Sequence, residues 1–331
     1  MDHFDKLQKA VEARKIPEKL GAIIHNFYLS YAEAAQENGY TIAQLQSLLD
    51  QFLQHVIENL EHPYQFEPYH AAIRSPIDYY QFGLELLRPL VVFAKSTIQG
   101  KDHLHGIAQA IAKGENVILL ANHQTEPDPQ AISLLLENTH PQLAEEMIFV
   151  AGDRVITDPL AVPFSKGRNL LCIYSKRHID LPPERKQEKL THNQRTMKKM
   201  AQLLNEGGKC IYVAPSGGRD RRDPTGEIAI APFDPQSIEL FWLTAQHAEK
   251  KTHFHTLALA TYDLLPPPSS VEKELGERRH ASCTPLHLTF GPAIDMDLFP
   301  GSDCADKKER RQYRADYLWK RVCADYLQMT K

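Results

Sequence analysis

The stretch that decides the fold is ILLANHQTEPDPQAISLLL, residues 118–136. An apolar run ends at Ala121, a histidine follows at position 123, and an aspartate stands at 128 against Pro129. The run reads as a strand and DPQAISLLLEN as a helix, so the chain must turn back between them. A five-residue separation across such a turn can bring an imidazole and a carboxylate together. Histidine is the usual general base near neutral pH, and a carboxylate on its second nitrogen can enforce the correct tautomer. A bland reading is equally available. Asp128 would cap the helix, with proline in the first helical position, and His123 would be a half-buried loop residue. Glu126, mid-turn and expected to be exposed, is a weaker rival as partner. Taken alone, the stretch leaves both readings open.

Beyond it the chain divides into two patterns. Up to about residue 95 the periodicity is helical. AIIHNFYLSYAEAAQENG stops at Gly39, TIAQLQSLLDQFLQHVIENLEH starts at Thr41 as N-cap, and SPIDYYQFGLELLRPLVVFAKS takes Ser75 as cap with Pro76 after it. Three amphipathic helices with short links predict a small bundle over residues 1–75. From about residue 100, strands and helices alternate. NVILLAN, EMIFVAG, NLLCIYS, KCIYVAP, TLALATY and LHLTFG read as strands, with helices between many of them and a charged helix at the end. The expectation is an α/β domain over residues 76–331, with a mostly parallel, mixed central sheet flanked by helices.

Composition narrows the classes. The 331 residues carry a formal net charge of −4, so nothing global recruits nucleic acid or an anionic membrane. The five cysteines have no paired spacing and read as reduced, buried, small apolar residues. The start, MDHFDKLQKAVEARK, has no apolar signal core, and no run reaches the ~18 apolar residues that span a bilayer. A soluble protein is expected, at most peripheral to a membrane. Cytoplasm or plastid stroma would suit it, and the Met-initiated start favours a bacterium.

Three polar clusters each follow a strand directly: NHQTEPD, SKRH and PSGGRDRR. If the strands are parallel, all three lie on the carboxyl edge of the sheet, where open α/β sheets bind ligands. Arg219 and Arg221 lie two apart and point the same way in an extended segment, and arginine suits bidentate phosphate recognition. With Arg177 and His178 on the same edge, a phosphate-sized anion site is the better reading, against a solvated basic loop. No nucleophile elbow, Walker loop or metal-binding pattern is present, so neither a metal nor a cofactor is expected. What remains is a histidine base, its carboxylate and an anion site. That set suits attack by a substrate hydroxyl on an activated acyl group.

These residues resemble a known family. NHQTEPD is similar to the H-x-x-x-x-D signature of the glycerolipid acyltransferases. YVAPSGGRDR, FSKGRNLLCIYSKRH and LALATYDLLPPPSSVEKELGERR resemble blocks of the soluble glycerol-3-phosphate acyltransferases of plastids and chlamydia-like bacteria. The likeness runs from about residue 75 to 295. It implies acyl transfer from acyl-acyl carrier protein, or acyl-CoA, to the 1-hydroxyl of glycerol 3-phosphate. By matching position, His123 is the base and Asp128 its partner, while Arg177, His178, Arg219 and Arg221 hold the phosphate. At Arg177 the family's plant members carry lysine. Arg195, Lys198 and Lys199 offer a basic surface for an acidic carrier protein, and Pro266–Pro268 a wall for the acyl chain. The alternatives are another acceptor, such as lysophosphatidate, or a phosphate-ester hydrolase.

Overall fold

The computed structural model describes residues 2–175, 179–268 and 277–331. Its first layer is helical: α1 (His3–Glu12), α2 (Glu18–Glu37) and α3 (Ile42–Glu61). The α1 helix is additional to the sequence reading; Asp2 caps it by accepting from the Asp5 amide. Gly39, with φ of 83°, ends the second helix region, and Thr41 with Gln44 forms a capping box for the third. Next come β1 (Tyr69–His70) and α4 (Tyr79–Leu87). Here the expected cap at Ser75 is corrected. Asp78 holds the helix start, its carboxylate accepting from the Gln81 amide.

The α/β part follows as β2 (Thr97–Gln99), α5 (Lys101–Ala112), β3 (Asn116–Ala121), α6 (Asp128–Leu136), α7 (Pro141–Glu146) and β4 (Ile148–Gly152). After these run α8 (Val162–Lys166), β5 (Asn169–Ile173), α9 (Lys186–Glu206), β6 (Cys210–Val213), β7 (Arg221–Arg222) and β8 (Ile228–Ala229). The chain closes with α10 (Pro235–Gln246), β9 (Thr252–Ala260), β10 (His287–Ile294) and α11 (Lys307–Thr330). Eight strands form one sheet in the order β1-β5-β4-β6-β3-β9-β10-β2. The five from β5 to β9 are mutually parallel, and β10 returns antiparallel to β9. The sheet is therefore mixed with a parallel centre, and the ends of β3, β5 and β6 share one edge.

All six residues of β3 are buried, as a central strand covered on both faces requires. Val117, Leu119 and Ala121 pack with Leu104, Ile107 and Ile132 on one face; Ile118 and Leu120 pack with Met200, Leu203, Ile238 and Leu318 on the other. The helical layer is not packed separately. Its core runs through α2, α3 and α4 into Ala131 and Leu134 of α6, and reaches Leu160, Leu265 and Leu286. Cys172 and Cys210 are buried, but Cys283, Cys304 and Cys323 are half-buried, which corrects the uniform expectation; all five are free thiols.

Candidate active site

The loop after β3 is held by its own side chains. Asn122 continues the ladder beyond the strand: its Oδ1 accepts from the Leu259 amide (2.8 Å) and its Nδ2 donates to the Leu259 carbonyl (3.0 Å). Gln124 Oε1 accepts from the amides of Thr261 and Tyr262 (2.8 and 3.1 Å), and the Thr125 hydroxyl donates to the Leu265 carbonyl (2.6 Å). Asn122, Gln124 and Thr125 are fully buried, so each polar group needs the partner it has. They act as surrogate backbone for β9 and the turn beyond it. His123, between them, is left partly open, with 29% of its side chain exposed.

The Asp128 carboxylate is fully buried and takes four donors. One oxygen accepts from His123 Nδ1 (2.8 Å) and the Gln124 amide (2.9 Å). The other accepts from the Thr261 hydroxyl (2.6 Å) and the Thr125 amide (3.3 Å). It does not cap α6. Asp128 is the first helical residue, Pro127 stands in the cap position without a side-chain bond, and the carboxylate reaches back into the loop. A carboxylate can only accept, so Nδ1 carries the proton and Nε2 is left as the basic atom of the ring. The turn thus brings the imidazole and the carboxylate together, and the carboxylate does not serve as the helix cap.

Beneath the loop lies a second buried carboxylate, Asp220. It accepts from Asn122 Nδ2 (2.9 Å), Gln124 Nε2 (3.3 Å) and the Ala231 amide (2.9 Å). Its own amide donates to the His123 carbonyl (2.6 Å), tying the PSGGRDRR loop to the histidine loop. Burial raises its pKa to about 6, although these donors and the nearby His123 favour the ionised form. The sequence reading missed Asp220. The signal was available: in an extended segment a residue between two outward arginines faces the other way.

The arginines form one charged network. Arg219 Nη2 donates to both oxygens of Glu277 (2.6 Å each), which also lies 3.8 Å from Arg154. Arg279, absent from the expected set, donates to both oxygens of Glu126 (2.9 and 3.0 Å) and sits 3.3 Å from Asp158. Glu126 is thus no exposed turn residue; its side chain is 17% exposed and clamped. Arg221 curls back, Nη1 donating to the carbonyls of Arg219 and Asp220 (3.1 and 3.0 Å), and no carboxylate among the described residues pairs with it. Burial, then the Arg219 charge, pushes its pKa down. Arg177 and His178 lie outside the described residues. Among the described residues no group of three or more His, Cys, Asp or Glu side chains could hold a metal.

His123, Glu126 and Arg279 open onto an apolar cavity of about 1060 Å³, its open mouth included. Phe27 of α2, Phe52 of α3 and Phe164 of α8 form one side, with Phe149 and Tyr212 of the sheet opposite. Leu265 contributes to the wall; Pro266–Pro268, expected there, do not. Arg195 and Lys198 are exposed on the middle of α9, and Lys199 is half-buried, its ammonium 5.6 Å from the Tyr69 ring centre.

Comparison with known proteins meets this geometry. A model of the family described as Acyltransferase matches residues 95–263. "Glycerol-3-phosphate acyltransferase ATS11, chloroplastic" of Cucurbita moschata is 42% identical over 310 residues, covering 93% of this chain and 69% of the relative. "Glycerol-3-phosphate acyltransferase, chloroplastic" of Arabidopsis thaliana is 38% identical, covering 98% and 71%. A solved structure, the 1-acyl-sn-glycerophosphate (LPA) acyltransferase PlsC of Thermotoga maritima, aligns with a TM-score of 0.42 at 15% identity, covering 92% of this chain and 95% of that one. With its family match across half the chain and these relatives across nearly all of it, the protein belongs to the glycerol-3-phosphate acyltransferase family of acyltransferase enzymes.

Proposed function

We propose that the chain transfers a fatty acyl group from a thioester to the sn-1 hydroxyl of glycerol 3-phosphate, giving lysophosphatidate. The observation that carries this reading is the His123–Asp128 pair at an apolar cavity, with the arginine network beside it. His123 Nε2 takes the hydroxyl proton as the oxygen attacks the thioester carbonyl. Asp128 stabilises the imidazolium that forms. Collapse of the tetrahedral intermediate breaks the C–S bond, and the imidazolium returns the proton to the leaving thiolate. No bond between acyl group and protein is needed.

Arg219 and Arg221, with Arg177 and His178, hold the phosphate. Arg221 has no carboxylate partner among the described residues, and Arg219 must share or exchange Glu277. The cavity holds the acyl chain, and residues 1–75, read as a helical unit, supply one wall of it through Phe27 and Phe52. Acyl carrier protein or CoA presents the thioester, and the exposed cations of α9 suit an acidic carrier. The relatives' chloroplastic names support a plastid stroma, with bacterial cytoplasm the other setting. No helix among the described residues is long and apolar enough to cross a membrane, and peripheral contact would suffice to deliver the product.

The test is an assay of glycerol 3-phosphate with an acyl-carrier protein or acyl-CoA donor, comparing wild type with His123→Ala. Loss of turnover with glycerol 3-phosphate binding retained is expected. Undiminished turnover in the variant would remove His123 from the chemistry.

A further inference from the structure

Asp220 stands between Arg219 and Arg221, the two arginines that the proposed function gives to the phosphate, and its side chain goes elsewhere. Arg219 reaches both oxygens of Glu277 (2.6 Å each), while the Asp220 carboxylate is fully buried under the histidine loop. Arg221 holds the backbone on either side of the Asp220 Cα. Its Nη1 donates to the carbonyl of Arg219 (3.1 Å) and to the carbonyl of Asp220 itself (3.0 Å). One residue is therefore bonded to a phosphate-binding guanidinium through its backbone and to the histidine loop through its carboxylate.

Its hold on that loop is threefold. The Asp220 amide donates to the His123 carbonyl (2.6 Å). One carboxylate oxygen accepts from Asn122 Nδ2 (2.9 Å) and Gln124 Nε2 (3.3 Å), the residues on either side of His123. The other accepts from the Ala231 amide (2.9 Å). The oxygen ends of Asn122 and Gln124 already accept from the amides of Leu259, Thr261 and Tyr262, so both side chains can offer Asp220 only N–H. Every group facing the carboxylate is thus a donor, and an ionised carboxylate accepts from all of them. Asparagine in its place would set an N–H against one.

We infer that Asp220 is a positioning residue through which the substrate phosphate seats the histidine base. This rests on the acyl-transfer reading above, its phosphate site included. A phosphate held by Arg219 and Arg221 fixes the peptide between them. The Asp220 side chain passes that constraint to Asn122 and Gln124, and its amide passes it to His123 directly. Binding energy from a group that does not react is then used to align the one that does. The phosphate therefore raises kcat as well as lowering KM, and an acceptor without it is slow even when bound.

The test separates the phosphate from the acceptor. Wild type is given glycerol, which keeps the hydroxyls and lacks the phosphate, with one acyl-thioester donor, in the presence and absence of inorganic phosphite. Phosphite on the arginines should raise the rate of glycerol acylation about tenfold, an ordinary size for coupling between two sites. No activation overturns the inference, and this measurement stands even where a variant does not fold. Asp220→Asn, its fold checked by circular dichroism, is expected to lose about tenfold in kcat with glycerol 3-phosphate while KM for it stays within about twofold. The same variant should lose the phosphite activation. A slower variant with that activation undiminished would show that Asp220 only supports the fold, and would overturn the coupling. Failure of wild type to acylate glycerol 3-phosphate with any donor is a different result. It overturns the acyl-transfer reading, and this inference with it.

Discussion

Four donors converge on the two oxygens of Asp128, and on each oxygen one of them, the Gln124 or the Thr125 backbone amide, can only donate. Asp128→Asn would put an amide N–H against one of these donors and would favour the wrong ring tautomer. We predict a loss of kcat of roughly 10²–10⁴-fold with the fold retained, read by steady-state kinetics beside circular dichroism. Glu277 presents a different case. Its carboxylate holds the Arg219 edge that the substrate phosphate would use. Glu277→Gln is expected to lower KM for glycerol 3-phosphate several-fold while leaving KM for the acyl donor unchanged. A raised KM would show that Glu277 instead orients Arg219 for the phosphate. Asp220 carries a pH signature. Its folded pKa is raised from 3.8 to about 6, so the folded chain binds this proton more tightly than the unfolded chain. The contribution is fully present below pH 3.8 and is lost as pH rises through about 6. Relative to Asp220→Asn, wild type should lose on the order of 3 kcal/mol of unfolding free energy across that window. Denaturant titrations at intervals of pH would read the slope, and a flat difference would refute it.

At the scale of elements, β3 and β9 are joined past their last backbone pair by the Asn122 side chain. Asn122→Ala removes that clamp and strands buried groups of Leu259 and Asp220. A loss of roughly 2–4 kcal/mol is expected by thermal or denaturant melting, together with reduced activity from a loosened His123. A change under 1 kcal/mol would mean that the loop does not depend on Asn122. This element also shows what the sequence could and could not disclose. The apolar run and the turn residues made the strand, the loop and the helix legible, because periodicity and proline act locally. The edge shared by the ends of β3, β5 and β6 was legible once the strands were taken as parallel. The choice between cap and partner was not. It depends on where the Thr125 and Gln124 amides point, and on Thr261, more than a hundred residues away in sequence. Arg279 was hidden for the same reason. Nothing near GERRH announces Glu126 as its partner, and Glu126 looked exposed because a turn usually is. Arg177 and His178 remain expectations of pattern and resemblance, since they lie outside the described residues.

In the whole molecule, the helical layer and the sheet enclose one apolar cavity between them. Phe52 belongs to both roles, 2% exposed in the helical core and present in the cavity wall. Phe52→Ala should cost about 3–5 kcal/mol of stability and change kcat/KM for the acyl donor more than KM for glycerol 3-phosphate. Melting curves and separate titrations of the two substrates would check this; an effect on glycerol 3-phosphate alone would place the acyl chain elsewhere. The shared wall has a thermodynamic corollary. A ligand lodged there touches helices from the first sixty residues and strands from the centre of the chain at once, so its binding free energy becomes cohesion between the two layers. By mass action, a long-chain acyl ligand at a hundred times its Kd adds about 2.7 kcal/mol to the folded state. Helices and sheet would then melt as one unit at a temperature that climbs with ligand concentration, and amide exchange in α2 and α3 would slow in step with that of β4. Occupancy would be legible in the protection of the chain's first helices, far in sequence from His123.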